Sequence, residues 1–185
     1  MMVCITGMPG AGKSTAAAAL AEKGWKRTVM GDVIREETRR RGLEPDAKNT
    51  GEVMKLLRKE YGEAAVAELC LRSMGESPAA QKRVVDGIRS VAEVDAFRKK
   101  ARVLLVAVHA SPERRFEFLR ARGRKDAPLS SEMFAMRDAR ELEVGIGNAI
   151  ALADEVVSNQ RSTPESLAAQ VIAVAEGWAR THGEK

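Results

Sequence analysis

A chain of 185 residues, 44% hydrophobic and 31% charged, is long enough for one domain with a buried core, and this composition excludes a disordered chain. The net charge of +5 favours a polyanionic ligand, but the aromatic content of 4% argues against a base-stacking nucleic-acid surface. We expect no signal peptide before the strand predicted to begin at Met2, and no apolar stretch is long enough to span a membrane. The sequence therefore predicts a soluble cytoplasmic protein without a nucleic-acid or membrane partner.

The N-terminal segment combines an apolar strand, a glycine-rich turn and a helix. Residues 3–5 predict a buried strand, and residues 7–14, Gly-Met-Pro-Gly-Ala-Gly-Lys-Ser, fit the phosphate-loop pattern G-x-x-x-x-G-K-[ST]. Glycines let backbone N–H groups surround a phosphate, and the helix predicted over 14–23 adds its positive N-terminal end. Lys13 is predicted to bind the terminal phosphates of ATP, and the Ser14 hydroxyl to bind Mg²⁺. The predicted ATP-binding residues are Gly7, Met8, Pro9, Gly10, Ala11, Gly12, Lys13, Ser14 and Thr15.

A block of helices is predicted to follow the second strand, which the pattern places over 25–30. The first of these helices is predicted over 32–41, with Asp32 as its N-cap. Two more are predicted over 49–60 and 63–74, separated by Gly62. Because the next strand comes only after them, these helices are expected to form an insertion.

The second half of the chain predicts strands over 83–86, 103–108 and 155–158, which alternate with helices opening at serine or threonine. This alternation indicates an α/β fold with a five-stranded parallel sheet, whose ligands bind at the carboxyl ends of the strands. Asp86 ends its predicted strand, where a carboxylate can hold Mg²⁺ opposite Ser14. The other residues predicted at that edge are Gly31, Asp32, Gly87, Ile88, Arg89, His109, Asn159 and Gln160.

Three segments resemble those of adenylate kinases. Residues 7–13 are similar to the Gly-x-Pro-Gly-x-Gly-Lys loop, and residues 31–35 resemble a Gly-Asp-x-x-Arg segment whose arginine holds the acceptor phosphate. Residues 86–89 resemble the Asp-Gly-Phe-Pro-Arg turn, although they are one residue shorter and lack the proline. Across nearly its whole length the chain resembles the archaeal adenylate-kinase-related, dephospho-CoA-kinase-like P-loop family of UPF0200 type, within the nucleoside monophosphate kinase superfamily. Further matching segments are residues 30–37, 122–124, 137–142 and 153–154.

The resemblance implies a single P-loop kinase domain over residues 1–185, with a helical acceptor-binding insertion at 33–76 and a short lid at 122–143. Mobile lid arginines can stabilise the negative charge that develops on the transferred phosphoryl group. The implied acceptor-binding residues are Asp32, Arg35, Gly87, Arg89 and Glu93. The implied lid arginines are Arg124, Arg137 and Arg140.

Glu93 fits two interpretations. It lies three residues after Ser90, which is the spacing of a helix-capping box. It also lies four residues after Arg89, where adenylate kinases carry a glutamine that reads adenine. A carboxylate at that position leaves the base specificity open.

These features together favour Mg²⁺-dependent transfer of the γ-phosphoryl group of ATP to a nucleoside monophosphate, with AMP as the first-choice acceptor. Such an acceptor is already an oxyanion, so the reaction needs no general base. One alternative is a hydroxyl acceptor, as in dephospho-CoA kinase, for which Asp32 is the candidate base. Another is a nucleotide-switch ATPase that acts on a macromolecular partner. The sequence leaves the oligomeric state open.

Overall fold

The computed structural model describes residues 1–75, 81–122 and 130–182. Within these ranges strands alternate with helices, which confirms the predicted α/β fold. The strands are β1 (Met2–Thr6), β2 (Lys26–Val29), β3 (Arg83–Ile88), β4 (Val103–His109) and β5 (Glu155–Ser158). The helices are α1 (Lys13–Glu22), α2 (Met30–Arg40), α3 (Ala47–Tyr61), α4 (Ala65–Met74), α5 (Val91–Arg98), α6 (Pro112–Ala121), α7 (Ser131–Val144), α8 (Ile146–Ala151) and α9 (Pro164–His182).

The strands form one parallel five-stranded sheet in the order β2-β3-β1-β4-β5. β1 lies at the centre, where Cys4 pairs with Val85 of β3 on one side and with Leu105 of β4 on the other. Every residue of β1 is buried, because helices cover both faces of the sheet. All strands point the same way, so their carboxyl ends meet at one edge.

Alternate residues of β1 belong to two hydrophobic clusters on opposite faces of the sheet. Val3 and Ile5 pack in the cluster that includes residues of α1 and α9. Met2 and Cys4 pack in the other cluster, with residues of α5, α8 and the helices between β2 and β3. Of the helices in the described ranges, none is both long and apolar enough to cross a membrane.

Helices α2, α3 and α4 form a three-helix insertion between β2 and β3. Apolar side chains from all three helices are buried together and are continuous with the cluster beneath the sheet. They include Ile34, Val53, Leu57, Val66 and Cys70. The insertion is therefore packed onto the body of the domain through a shared core.

The predicted start of α2 is wrong. The helix begins at Met30, directly after the extended Val29, and Asp32 lies in its first turn instead of serving as the N-cap. The Asp32 carboxylate accepts a hydrogen bond from the Arg35 guanidinium. Its negative charge remains favourable near the positive end of the helix dipole.

Serine residues begin three of the later helices, as the sequence predicts. The hydroxyl groups of Ser90, Ser111 and Ser130 each accept a hydrogen bond from the backbone N–H three residues later, at 3.3 Å in each case. Each bond satisfies an N–H group that has no partner within its own helix. These caps fix where α5, α6 and α7 begin.

Candidate functional site

The phosphate loop, residues 7–14, joins β1 to α1 at the carboxyl edge of the sheet. Two of its glycines lie against neighbouring backbone and have positive φ angles, +141° for Gly7 and +83° for Gly10. A Cβ atom on Gly7 would lie 2.3 Å from the Val108 carbonyl oxygen, and one on Gly10 would lie 2.6 Å from the Arg115 carbonyl oxygen. Any side chain at either position would therefore push the loop away from β4 or α6.

Lys13 folds back over the loop that precedes it. Its Nζ donates hydrogen bonds to the carbonyl oxygens of Gly7 at 2.6 Å and Met8 at 3.1 Å. Burial lowers the Lys13 pKa to about 8, and the positive charge of Arg89 contributes to the decrease, while Glu141 and Asp86 oppose it. These charges, together with that of Arg137, therefore lie close enough to act on the lysine.

Two buried side chains contact the outer side of the same loop. Arg115 of α6 donates from a terminal guanidinium nitrogen to the Pro9 carbonyl oxygen at 3.1 Å. Asn159, which follows β5, donates from Nδ2 to the Ala11 carbonyl oxygen at 2.9 Å. The loop is thus held by residues that are distant from it in the sequence.

Ser14 and Asp86 supply oxygen atoms at this edge. Ser14 is the second residue of α1, and Asp86 lies near the end of β3 with only 3% of its surface exposed. A hydroxyl and a carboxylate fit a hard cation such as Mg²⁺. The Asp86 carboxylate is paired with the Arg27 guanidinium of β2 at 2.6 Å.

The predicted acceptor residues Asp32 and Arg35 form an ion pair with each other on an exposed part of α2. They line a surface depression of about 370 Å³ together with Val33, Glu36 and Arg39. The pair leaves both charged groups accessible at the first turns of α2. Their role toward an acceptor stays a prediction.

Glu93 is buried, with only 1% of its surface exposed. One carboxylate oxygen accepts from Arg58 of α3 at 2.9 Å, and the other accepts from the Arg89 backbone N–H at 2.7 Å. Half of the predicted capping box is present, since the Ser90 hydroxyl accepts a hydrogen bond from the Glu93 N–H. The Glu93 carboxylate bonds to the N–H of Arg89 instead of that of Ser90. With both oxygens engaged, Glu93 connects the insertion to the turn after β3.

Arg89 is joined to α7 through its side chain. Its Nε donates to a carboxylate oxygen of Glu141 at 2.9 Å. Burial opposes the charge of Arg89, but the carboxylates of Glu141 and Glu93 outweigh it and raise the Arg89 pKa. Gly87, another predicted substrate residue, lies inside β3, which continues to Ile88 and so beyond its predicted end at residue 86; Gly87 is half-buried and has a φ of +107°.

The predicted lid is described only in part. Arg124 lies outside the described residues, as do the other positions from 123 to 129. Arg137 is half-buried on α7, and its charge acts on the Lys13 pKa. Arg140 is exposed, and its Nε donates to the Met136 carbonyl oxygen of the same helix at 3.2 Å. Arg137 therefore lies close enough to Lys13 for their charges to interact.

Sequence reasoning missed several residues of this site. Asp138 and Glu141 were given no role there, yet they pair with Arg115 and Arg89 from other elements. Arg27 was also missed, since a basic residue on a short edge strand gives no signal of its partner. The positions of Asp138 and Glu141 on one face of a helix were the available hint.

Comparison with known proteins places this arrangement in a family. A family model described as an AAA domain matches residues 3–142. A UPF0200 protein of Methanocaldococcus jannaschii is 46% identical over 168 residues, covering 90% of this chain and 85% of that protein. A UPF0200 protein of Thermococcus onnurineus is 46% identical over 163 residues, covering 86% of this chain and 88% of that protein.

The chain belongs to the UPF0200 family.

Solved structures match the UPF0200 chain in fold. TT1252 from Thermus thermophilus has a TM-score of 0.65 at 21% identity, covering 95% of this chain and 97% of that one. Shikimate kinase from Acinetobacter baumannii, solved in complex with shikimate, has a TM-score of 0.60 at 14% identity and covers 95% of this chain and 93% of that one. The fold is therefore that of P-loop kinases.

Proposed function

We propose that this UPF0200 protein is a Mg²⁺-dependent phosphotransferase that moves the γ-phosphoryl group of ATP to a nucleoside monophosphate, with AMP as the first-choice acceptor. The observation that carries the proposal is the set of charges around Lys13. Arg89 and Arg137 contribute positive charge there, and Asp86 and Glu141 contribute negative charge. Phosphoryl transfer is catalysed mainly by positioning and by neutralising charge, which such a set can provide.

ATP would bind with its phosphates in the phosphate loop and the adjoining Thr15, and Lys13 would donate to the terminal phosphates. Ser14 and Asp86 would hold Mg²⁺. Arg27 would then break its ion pair with the Asp86 carboxylate. When bound, the metal neutralises charge on the phosphate oxygens. The chain itself orients the phosphates and excludes water with the residues that pack around the loop.

The acceptor would bind between the three-helix insertion and the turn at Arg89 that follows β3. Arg35 and Arg89 would hold its phosphate, because guanidinium groups bind phosphate oxygens in a bidentate manner. Each arginine is already paired with a carboxylate of the chain, Asp32 or Glu141, so the acceptor phosphate would exchange with that carboxylate. The transferred group is proposed to be stabilised by the lid arginines, Arg124, Arg137 and Arg140.

One observation supports a second candidate, in which the acceptor is a hydroxyl group. Asp32 has 65% of its side chain exposed at the start of α2, where it could accept a proton from a hydroxyl acceptor. The shikimate kinases, which share the fold, are named for an acceptor that is not a nucleotide. Dephospho-CoA belongs in the acceptor panel for this reason.

The test is product analysis with ATP, Mg²⁺ and a panel of AMP, GMP, CMP, UMP, their deoxy forms and dephospho-CoA. We expect a nucleoside diphosphate from one of the monophosphates, and a loss of at least about 100-fold in the Lys13→Ala variant because a charged phosphate contact is removed. The matched control is Lys23→Ala, which replaces an exposed lysine just after α1. ADP release that no acceptor changes would contradict the proposal and favour the switch ATPase.

A further inference from the structure

Arg115 is a buried, extensively bonded side chain beside the phosphate loop, and it contacts three parts of the chain. It is 3% exposed on α6, where its Nε donates to the Ala110 carbonyl oxygen at 3.3 Å. One terminal nitrogen donates to the Pro9 carbonyl oxygen at 3.1 Å and to Asp138 at 2.9 Å, and the other donates to Asp138 at 2.6 Å. The guanidinium also lies over the Phe134 ring, 4.9 Å from its centroid.

The hydrogen bond to the Pro9 carbonyl oxygen also fixes the direction of the Gly10 N–H, which belongs to the same peptide group. The C=O and N–H groups of a trans peptide point in opposite directions, and the peptide bonds of the described chain are trans. When Arg115 holds the Pro9 oxygen, the Gly10 N–H therefore points away from α6. That direction leads from the outer side of the phosphate loop toward its inner side, where a phosphate would accept from backbone N–H groups.

Asn159 orients the peptide group between Ala11 and Gly12 in the same way. Its side chain is buried, and Nδ2 holds the Ala11 carbonyl oxygen at 2.9 Å, which directs the Gly12 N–H away from Asn159. Two N–H groups of the loop are thus oriented by buried side chains that hold the preceding carbonyls. An anion site whose donors are already oriented loses less free energy in ordering when the ligand binds.

We infer that Arg115 is a positioning residue, which orients the Gly10 N–H for a nucleotide phosphate and couples the phosphate loop to α7 through Asp138. Asp138 directly follows Arg137, and Glu141, three residues further along α7, pairs with Arg89. Displacement of the Arg115–Asp138 pair would therefore disturb the loop and α7 together. The inference deepens the proposed function and rests on it in one respect, that the loop binds a nucleotide phosphate.

The experiment compares two double variants by titration with MgADP. Arg115→Met combined with Asp138→Leu removes the buried pair without leaving one charge alone in the interior, which is the usual cause of severe destabilisation. Arg114→Met combined with Glu117→Leu removes an exposed pair of the same helix, 2.8 Å apart, and serves as the matched control. Melting temperature and ADP dissociation constant are measured for both.

We expect the Arg115 and Asp138 double variant to remain folded and to bind MgADP about tenfold more weakly, the effect of one misdirected donor to a charged oxygen. The control should bind as the wild type does. Wild-type affinity in a folded Arg115 and Asp138 double variant would overturn the inference, because the pair would then contribute to stability alone. Absence of MgADP binding by the wild type would instead contradict the proposed function, and the inference with it.

A single variant keeps the test decisive if the double variant does not fold. In Arg115→Lys the shorter ammonium can pair with Asp138 but cannot also reach Pro9 with the geometry of a guanidinium. We expect weaker MgADP binding and a smaller downfield change of the Gly10 amide proton on ADP addition, measured by NMR. Wild-type affinity and an unchanged Gly10 response in Arg115→Lys would overturn the inference.

Discussion

At the scale of single residues, Lys13 makes nucleotide binding dependent on pH. Its pKa is lowered to about 8, chiefly by burial and then by Arg89, so below pH 7 the free protein already holds this proton and above pH 8 it mostly does not. Bound phosphate oxygens favour the charged form and raise the pKa again. Affinity for nucleotide should therefore be constant below pH 7 and fall as the pH rises through 8.

The same linkage predicts that MgADP binding takes up protons at pH 8.5 but not at pH 6.5. Calorimetric titrations in buffers of different ionisation enthalpy measure this uptake, which should reach about three-quarters of a proton at pH 8.5 because the free lysine is still about one-quarter protonated there. The Lys13→Met variant should bind without it. Equal uptake at both pH values, or uptake that persists in the variant, would show that another group titrates.

Arg27 is predicted to compete with Mg²⁺ for the carboxylate of Asp86. The two side chains are 2.6 Å apart, so a cation that binds Asp86 must displace or share the guanidinium. In Arg27→Met we expect the Mg²⁺ concentration for half-maximal activity to fall about threefold or more, since the competing charge is gone. Arg180→Met, on the exposed end of α9, is the control, and an unchanged Mg²⁺ requirement in Arg27→Met would refute competition.

At the scale of elements, the phosphate loop requires glycine where it touches β4. In Gly7→Ala the new Cβ would lie 2.3 Å from the Val108 carbonyl oxygen, in addition to adopting a φ of +141°. Gly24 has a φ of +85°, and a Cβ atom there would have no other atom within 4 Å, so Gly24→Ala isolates the cost of backbone conformation, about 1–2 kcal/mol. We expect Gly7→Ala to lower the free energy of unfolding, measured in urea, by about 2 kcal/mol more than Gly24→Ala does. Equal losses of unfolding free energy in the two variants would contradict the prediction, because β4 would then shift to accommodate the new methyl group at no cost.

The sequence predicted most elements within three residues of their observed ends, because local signals determine them. Serine caps set the starts of α5, α6 and α7, and Gly145 ends α7. The start of α2 was missed because β2 passes directly into the helix, with Val29 before it and no capping side chain. Local patterns therefore located the elements but not a junction that lacks a cap.

The partners of charged residues were beyond prediction. Arg115 pairs with Asp138 and Arg58 with Glu93, and these contacts depend on how separate elements pack. Strand order is a property of the same kind, since alternation of strands and helices predicts a parallel sheet but not that β1 is central. The phosphate loop was foreseeable because one continuous motif contains all its residues.

At the scale of the whole molecule, one buried ion pair joins the insertion to α5, the helix that follows β3. Arg58 of α3 binds the Glu93 carboxylate at 2.9 Å, and Glu93 is almost wholly buried. Arg58→Met would leave that carboxylate in the interior without its cation, and we expect a loss of about 3–5 kcal/mol in the free energy of unfolding. Chemical denaturation measures it. Arg39→Met, which removes an exposed pair with Glu36, should cost less than about 0.5 kcal/mol, and a similar loss in both variants would contradict the prediction.

The bond between Asn159 and Ala11 has a consequence for synthesis of the chain. Its two residues are 148 positions apart, and β1 cannot complete its pairing until β3 and β4 have been made. Contacts of such long sequence separation form late in folding, because a large loop must close first. The phosphate loop therefore leaves the ribosome well before Asn159 does, and it acquires its final shape only after Asn159 has followed. A nascent chain therefore cannot present the finished loop to a nucleotide until Asn159 has emerged, so tight nucleotide binding would report that these distant segments have folded together.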